Sequence, residues 1–200
     1  MRRRTLDALL TTGGAIVAVV LLVAAGLLFW AGSFANNTVS SQLADQKITM
    51  PSGAAIADPL IKPYLEQYAG QPMTTGAQAQ AYADHYIKVH MNKASADKTY
   101  GEVSSAFTAL SKDTTADPAA VKTLGDLRQT LFMGDSLRGL LLNAYAFGTL
   151  GMIAMYAAVA SGIGALAMLV LSFLGLRHLR TVPETQEVRF GGRAPVPASA

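Results

Sequence analysis

The stretch "ALLTTGGAIVAVVLLVAAGLLFWAGSFA", residues 8–35, decides the fold class, because it contains no Asp, Glu, Lys or Arg. A helix needs roughly 20 apolar residues to cross a hydrocarbon layer about 30 Å thick. This stretch is longer than that, so it predicts a transmembrane helix at residues 8–35. Trp30 lies near its far end, where an aromatic side chain suits the membrane–water interface.

A second charge-free stretch runs from Gly139 to Leu176 and predicts a second transmembrane helix at residues 147–176. Backbone groups that face lipid must be satisfied within their own helix, which favours helix for both stretches. Only 14% of the chain is charged, against roughly 25% in soluble proteins. The sequence therefore predicts an all-α membrane protein in which two transmembrane helices flank a small helical extracytoplasmic domain.

The distribution of charge predicts the topology. Three Arg lie within residues 1–7 and four more within residues 177–200, whereas nine Lys/Arg and ten Asp/Glu nearly cancel in the middle segment. Basic residues flank membrane helices on the cytoplasmic side. We expect a two-pass protein of a bacterial plasma membrane, with a cytoplasmic N-terminus (1–7), a disordered cytoplasmic tail (177–200) and residues of about 36–146 outside. Short basic flanks do not form a nucleic-acid-binding face, so no nucleic acid is expected as a partner.

A cleaved signal peptide is the alternative interpretation of the N-terminus. Ser33-Phe34-Ala35 has the small-x-small form of a cleavage site. The apolar core of a signal peptide spans only about 7–15 residues, which favours the uncleaved helix but leaves cleavage open. The chain contains no Cys, so no disulfide or thiolate metal site is available.

The middle segment divides into a stalk and a helical domain. Residues 36–74 are polar and interrupted by Pro51, Gly53 and Pro59, which predicts a stalk with short helices. Residues 75–146 carry helical periodicity and are predicted as the helical extracytoplasmic domain.

Three helix starts are visible in that domain. Thr75 with Gln78, and Thr99 with Glu102, have the spacing of a capping box. Asp117 precedes Pro118, which suits the first position of a helix. We expect the helix that starts there to continue almost straight into the second crossing.

Both predicted crossings carry small residues at helical spacing, which allows close approach of helices in lipid. The candidate packing residues are Gly14, Ala18, Ala25, Ala154, Ala158 and Gly162. They predict either a packed pair of helices or an interface with another membrane protein, although Ala and Gly are also simply common in such helices. Neither crossing has an ionisable residue in its core, which argues against a transporter or pump that acts alone.

The stretch "YADHYIKVH", residues 82–90, is the most reactive in composition. On an α-helix His85 and His90 point about 140° apart, so they do not share one ion, and no metal site is predicted. Asp84 lies four residues before Lys88, a spacing that allows a surface ion pair. His85 is expected to be partly buried, and Asp84 with His85 form a candidate polar or pH-sensitive site.

A second polar block, "RQTLFMGDSLRG", precedes the second crossing and contains Arg128, Asp135 and Arg138. Asp135 and Arg138 are three residues apart and are expected to pair. The block is interpreted as a charged collar beside the membrane, with a docking or lipid-headgroup surface as the alternative.

The segments "YAGQPMTTGAQAQAYADHYIKVHM", "KTYGEVS" and "RQTLFMGDSLRGLLLNAYAFGTLG" resemble a set of actinobacterial two-pass membrane proteins of uncharacterised function. The resemblance covers most of the chain. Some members are labelled aromatic ring-opening dioxygenases, which implies a non-haem iron held by histidines and a carboxylate. Because the two histidines diverge and His178 lies beyond the second crossing, no catalytic, cofactor-binding or metal-binding residue is carried over, and no cofactor is predicted.

These features predict a non-catalytic accessory or scaffolding subunit of a cell-envelope membrane complex. Its expected partners are the lipid bilayer and other membrane proteins or a second copy of the chain. One alternative is an extracytoplasmic sensor or ligand-binding module. Another is a metal-dependent oxygenase that would use His85, His90 and a carboxylate, either Asp84 or Glu102.

Overall fold

The computed structural model describes residues 3–181, so most of the predicted tail, residues 182–200, lies outside the described part. Its elements are α1 (Arg3–Asp45), a 3₁₀ turn (Gly53–Ile56), α2 (Lys62–Leu65), a second 3₁₀ turn (Glu66–Tyr68), α3 (Gly76–Ala81), a π-helix (Tyr82–Ile87), α4 (Lys88–Ser95), α5 (Tyr100–Leu110) and α6 (Pro118–Leu179). The described residues contain no strand, only one antiparallel bridge between Thr49 and Pro72. The predicted all-helical fold is confirmed.

Two helices, α1 and α6, are long and apolar enough to cross a membrane. Only 11% of the most apolar window of α1 and 17% of that of α6 are buried within the protein. The core helix of a soluble protein buries most of such a window, because exposed apolar surface is costly in water. The two helices therefore leave most of their apolar surface for another environment.

The chain divides into two compact units. The terminal unit comprises Met1–Trp30 and Ala154–Ala200, of which residues 3–30 and 154–181 are described. The central unit comprises Ala31–Ile153. Because α1 and α6 each extend through both ranges, each unit contains one part of each long helix.

In the terminal unit, α1 and α6 run antiparallel and meet through small side chains. Thr11 and Ala18 of α1 are buried, as are three residues of α6 at a seven-residue interval: Ala158, Ala165 and Ser172. A Cβ on Gly14 would lie 2.7 Å from Ser172 Oγ, so the approach is close. A seven-residue period keeps one seam between two helices that supercoil left-handedly.

This seam contains only some of the small residues that were predicted to pack. Ala18 and Ala158 are buried in it, whereas Ala25 and Ala154 are half-buried. Gly162 borders open space, since a Cβ there would meet no atom within 4 Å. The reason is geometric: a packed antiparallel pair follows the period of seven, and a four-residue step from Ala158 rotates Gly162 away from the seam.

The central unit has a core of larger side chains. It gathers Val39 and Leu43 from α1, Leu141 from α6, Ala79 and Ala83 from the α3–π-helix segment, and five residues between α1 and α3: Met50, Ile56, Ile61, Leu65 and Met73. Half of the core therefore comes from residues 48–73. The short helices predicted for residues 36–74 are present, but the predicted stalk is wrong, because α1 continues to Asp45 and five side chains from the rest of the segment enter the core.

Backbone hydrogen bonds explain why that polar, Pro- and Gly-containing segment folds. Met50 N–H donates to Gln71 O at 2.8 Å, and Met73 N–H donates to Ile48 O at 2.8 Å. Gly70 N–H donates to Met50 O at 3.1 Å. Gly70 has φ +72, a conformation that glycine adopts at little cost. Residues 48–50 and 70–73 are thus joined by backbone hydrogen bonds, which close a loop over the core.

The three predicted helix starts are confirmed. Complete capping boxes join Thr75 with Gln78 and Thr99 with Glu102. Asp117 Oδ1 accepts a hydrogen bond from Ala119 N–H at 3.0 Å. From there α6 continues without interruption to Leu179, as expected.

Candidate functional site

Arg138 of α6 joins the long helix to the π-helix within the central unit. Its Nη2 lies 3.2 Å from Asp84 Oδ1, and its Nε donates to Ala83 O at 3.1 Å. In the π-helix Lys88 N–H also donates to Ala83 O, a bond from residue i+5 to residue i. Asp84, Arg138 and this carbonyl form a polar knot, which we call the Arg138 knot.

The knot corrects two predictions. Asp84 pairs with Arg138, 54 positions away, rather than with Lys88, because the extra residue in the π-turn changes which side chains share a face. Arg138 was expected in a charged collar, yet only 19% of its side chain is exposed. Its expected contact with Asp135 is present at 3.4 Å. No local pattern indicates the pair of Asp84 with Arg138, because the two residues are 54 positions apart.

The two histidines have separate neighbours. The His85 ring stacks on Tyr64 with ring centroids 3.5 Å apart, and is half-buried as expected. His90 is exposed, and its Nδ1 lies 2.7 Å from Tyr86 O. Burial raises the pKa of nearby Tyr82, with a further contribution from Tyr86. The His85 ring thus contacts Tyr64 of α2, whereas the His90 ring contacts only Tyr86 of its own helical stretch among these interactions.

These contacts bear on the metal-dependent alternative. Asp84 is engaged by Arg138, and the Glu102 carboxylate accepts hydrogen bonds from Thr99. The Thr99 N–H, followed by the Thr99 hydroxyl, lowers the pKa of Glu102. Within residues 3–181 no group of three or more His, Cys, Asp or Glu side chains has the geometry to hold a metal ion. The structure does not bring the four proposed ligands together.

A groove of about 550 Å³ lies in the central unit between α1 and α6. Its floor is apolar and belongs partly to the core: Val39, Leu43, Leu141 and Ala144. Of its 14 lining residues none is Asp, Glu, Lys, Arg or His. The lining is thus uncharged throughout, as is typical of a site for an apolar ligand.

The two walls of the groove differ in polarity. The α6 wall presents Leu137, Leu140 and Phe147, which are exposed, Leu140 to 70%. The other wall presents neutral polar side chains four residues apart: Thr38 and Gln42 of α1, and Gln46 directly after the end of α1. Asn143 adds one amide to the α6 side. The groove therefore offers apolar contact along one wall and hydrogen bonds along the other.

A pattern in the sequence marks the α6 wall of this groove. Met133, Leu137, Leu140, Ala144 and Phe147 recur at intervals of three and four residues, which places them on one helix face. This apolar stripe is adjacent to the stripe of α6 that faces the core. The sequence does not distinguish the two stripes, because only the tertiary structure buries one and leaves the other exposed.

The terminal unit contains a smaller cavity of about 310 Å³. It is lined by Asp7, Thr11, Ser172 and His178 among others, with His178 Nε2 3.9 Å from Asp7 Oδ2. Hydroxyl and carboxylate groups in such a cavity are typical partners of ordered water. The groove is larger and its lining contains no ionisable side chain, so it is the stronger candidate site.

The fold and the groove define an all-helical protein with two long apolar helices. No protein-family model, no curated protein and no solved structure matches the chain. The resemblance to the actinobacterial two-pass proteins therefore stays a prediction, and the function is inferred from the residues themselves.

Proposed function

We propose that this chain is a two-pass membrane protein of the bacterial plasma membrane, with both termini in the cytoplasm. The support is the charge-free length of α1 and α6 together with the flanking arginines. Residues of about 36–146 then lie outside the cytoplasm.

The ends of the terminal unit support the same assignment. Leu21 and Gly164 lie at one level of the antiparallel pair, so Trp30 and Tyr156, nine and eight residues further on, share a level too. Both aromatic side chains are exposed, as interfacial anchors are. From Asp7 to Trp30 an α-helix rises about 35 Å, close to the roughly 30 Å of hydrocarbon.

The central unit acts by binding rather than by catalysis, as an accessory subunit of a cell-envelope assembly. The observation that carries this proposal is the uncharged groove, which stays open while the opposite face of the same helix pair is covered by a packed core. Exposed contiguous apolar surface marks interaction sites in proteins. The groove is the surface through which the chain would meet its partner.

The volume of the groove favours a second candidate function, a ligand-binding module. About 550 Å³ lies within the roughly 300–1,000 Å³ of small-molecule sites, which combine apolar walls with a few polar groups. Both candidates use the same groove, and they differ in whether a protein or a small molecule fills it.

Photocrosslinking in native membranes tests the role of the groove. Benzoylphenylalanine is placed at position 140 in the groove or at position 146, which is exposed on α6 but does not line it. We expect adducts at position 140 and few at position 146. Equal yields at the two positions, or none at either, would contradict a binding role for the groove.

A further inference from the structure

We propose that the groove between α1 and α6 of the central unit holds one ester-linked acyl chain of a membrane lipid. This inference rests on the proposed binding role of the groove and names the class of molecule that fills it. Three properties of the groove lead to it: its dimensions, its position along the two helices and the chemistry of its walls.

The dimensions of the groove suit an elongated apolar molecule. Its lining extends from Phe34 to Gln46, which corresponds to about 18 Å along the helix axis. Its volume of about 550 Å³ lies within the roughly 300–1,000 Å³ of small-molecule sites.

The position of the groove gives it access to lipid. Phe34 lies inside the charge-free stretch of α1, four residues after Trp30. Phe147 of α6 lies within the second charge-free stretch. An acyl chain that leaves the bilayer along α1 meets apolar side chains and no charge from Phe34 onward. Lipids are also the most abundant apolar molecules at such a site, so mass action favours them.

The polar row on α1 suits the ester group of a lipid. Gln42 and Gln46 each carry two amide donors and Thr38 carries a hydroxyl donor. An ester carbonyl accepts one such bond and has no charge to neutralise. No cationic side chain lines the groove, so the charge of a phosphate headgroup is not neutralised within it. The walls thus select the acyl chain and its ester rather than an anionic headgroup.

Lipid photolabelling of the full chain tests this assignment. The protein is reconstituted in vesicles of phosphatidylethanolamine and phosphatidylglycerol that contain phosphatidylcholine with a diazirine on one acyl chain, and adducts are mapped by mass spectrometry. We expect adducts on groove residues between positions 38 and 46 and between 137 and 144, in addition to those within the two crossings. The adducts within the crossings serve as the internal standard.

Two variants on the same helix provide the matched pair. Thr38→Trp puts an indole into the groove, whereas Ser41→Trp puts it on an exposed position outside the groove lining. Relative to the internal standard, Thr38→Trp is expected to lower groove labelling about tenfold, equivalent to about 1.4 kcal/mol of binding, and Ser41→Trp to leave it unchanged. Circular dichroism melting checks that both variants fold.

The outcomes separate this inference from the function on which it rests. Adducts confined to residues 8–30 and 154–176, or equal losses in both variants, would overturn the lipid assignment. If position 140 then crosslinks to a protein in native membranes, the binding role of the groove stands and its occupant is a protein. If position 140 captures neither lipid nor protein, both proposals fail. Should Thr38→Trp not fold, the adduct map of the unaltered chain still decides between these results.

Discussion

The terminal and central units of this protein differ in which apolar side chains they bury. In the terminal unit small residues meet at the seam, and large side chains such as Leu22, Val23 and Phe173 point outward. In the central unit large side chains such as Met50, Ile61 and Leu65 are buried. Small residues bring helices together where lipid covers the outside, whereas burial of large side chains drives folding in water. The packing of α1 and α6 in the terminal unit is thus the kind that lipid favours, and the packing in the central unit is the kind that water favours.

The largest effect is expected from a cavity in the central core. Leu65 is fully buried, so Leu65→Ala should lower the free energy of unfolding of that unit by about 3 kcal/mol. Denaturant titration of the detergent-solubilised full chain, followed by hydrogen exchange, measures it. Leu60→Ala, at an exposed position, is the control and should change little. If the two variants behaved alike, the core assigned to residues 48–73 would be incorrect.

A somewhat smaller effect is expected at the Arg138 knot. Arg138→Met leaves the half-buried Asp84 carboxylate and the second lone pair of Ala83 O without their partner, which should cost about 2 kcal/mol. The exposed pair of Lys122 with Asp126, with side chains 76% and 67% exposed, provides the comparison. Lys122→Met should cost less than about 0.5 kcal/mol. If Arg138→Met lowers the free energy of unfolding no more than Lys122→Met does, the Arg138 knot contributes no more to stability than an exposed ion pair.

The seam of the terminal unit should be sensitive to added volume rather than to its removal. Ala158→Leu overpacks the seam at roughly 1.5 kcal/mol, while Gly162→Leu points into open space. Because the chain has no Cys, a disulfide between Thr11→Cys and Gly175→Cys reports the approach of the helices in membranes. We expect Ala158→Leu to reduce its formation and Gly162→Leu to leave it intact. If Gly162→Leu reduced disulfide formation and Ala158→Leu did not, Gly162 rather than Ala158 would lie in the seam.

The smallest effect concerns acid pH at the start of α5. Because its hydrogen bonds lower the pKa of Glu102, the stabilisation by this carboxylate is full above the ordinary glutamate value of 4.5 and is lost as pH falls through the folded-state pKa. The melting temperatures of the unaltered chain and Glu102→Ala should therefore converge at acid pH. Gln78 makes the equivalent capping contacts without titrating, so the effect of Gln78→Ala should not depend on pH. A constant difference for Glu102→Ala would show that its charge does not contribute.

Several features were predictable because they depend on neighbours in sequence. The two long apolar helices follow from charge-free length, and both capping boxes follow from a Thr with Gln or Glu three residues later. The half-buried state of His85 followed from helical periodicity. Each of these properties is set within a few turns of one helix, where propensity and periodicity act directly.

Other features were not predictable because they depend on segments far apart in the chain. Residues 48–73 looked like a stalk, since Pro51, Gly53 and Pro59 interrupt any periodic pattern, yet their few large apolar side chains fill half of the central core. The partner of Asp84 was also misassigned, because the π-turn displaced Lys88 and brought Arg138 into reach from 54 positions away.

The sequence by itself determined that the chain is helical and that two of its helices can span a membrane, because hydrophobic length and local capping are properties of single segments. The tertiary structure decided which small residues meet at the seam, which carboxylate Arg138 binds, and which apolar stripe of α6 remains open as a groove. Those outcomes depend on packing between segments, where many arrangements satisfy the same local pattern and only side-chain complementarity selects one.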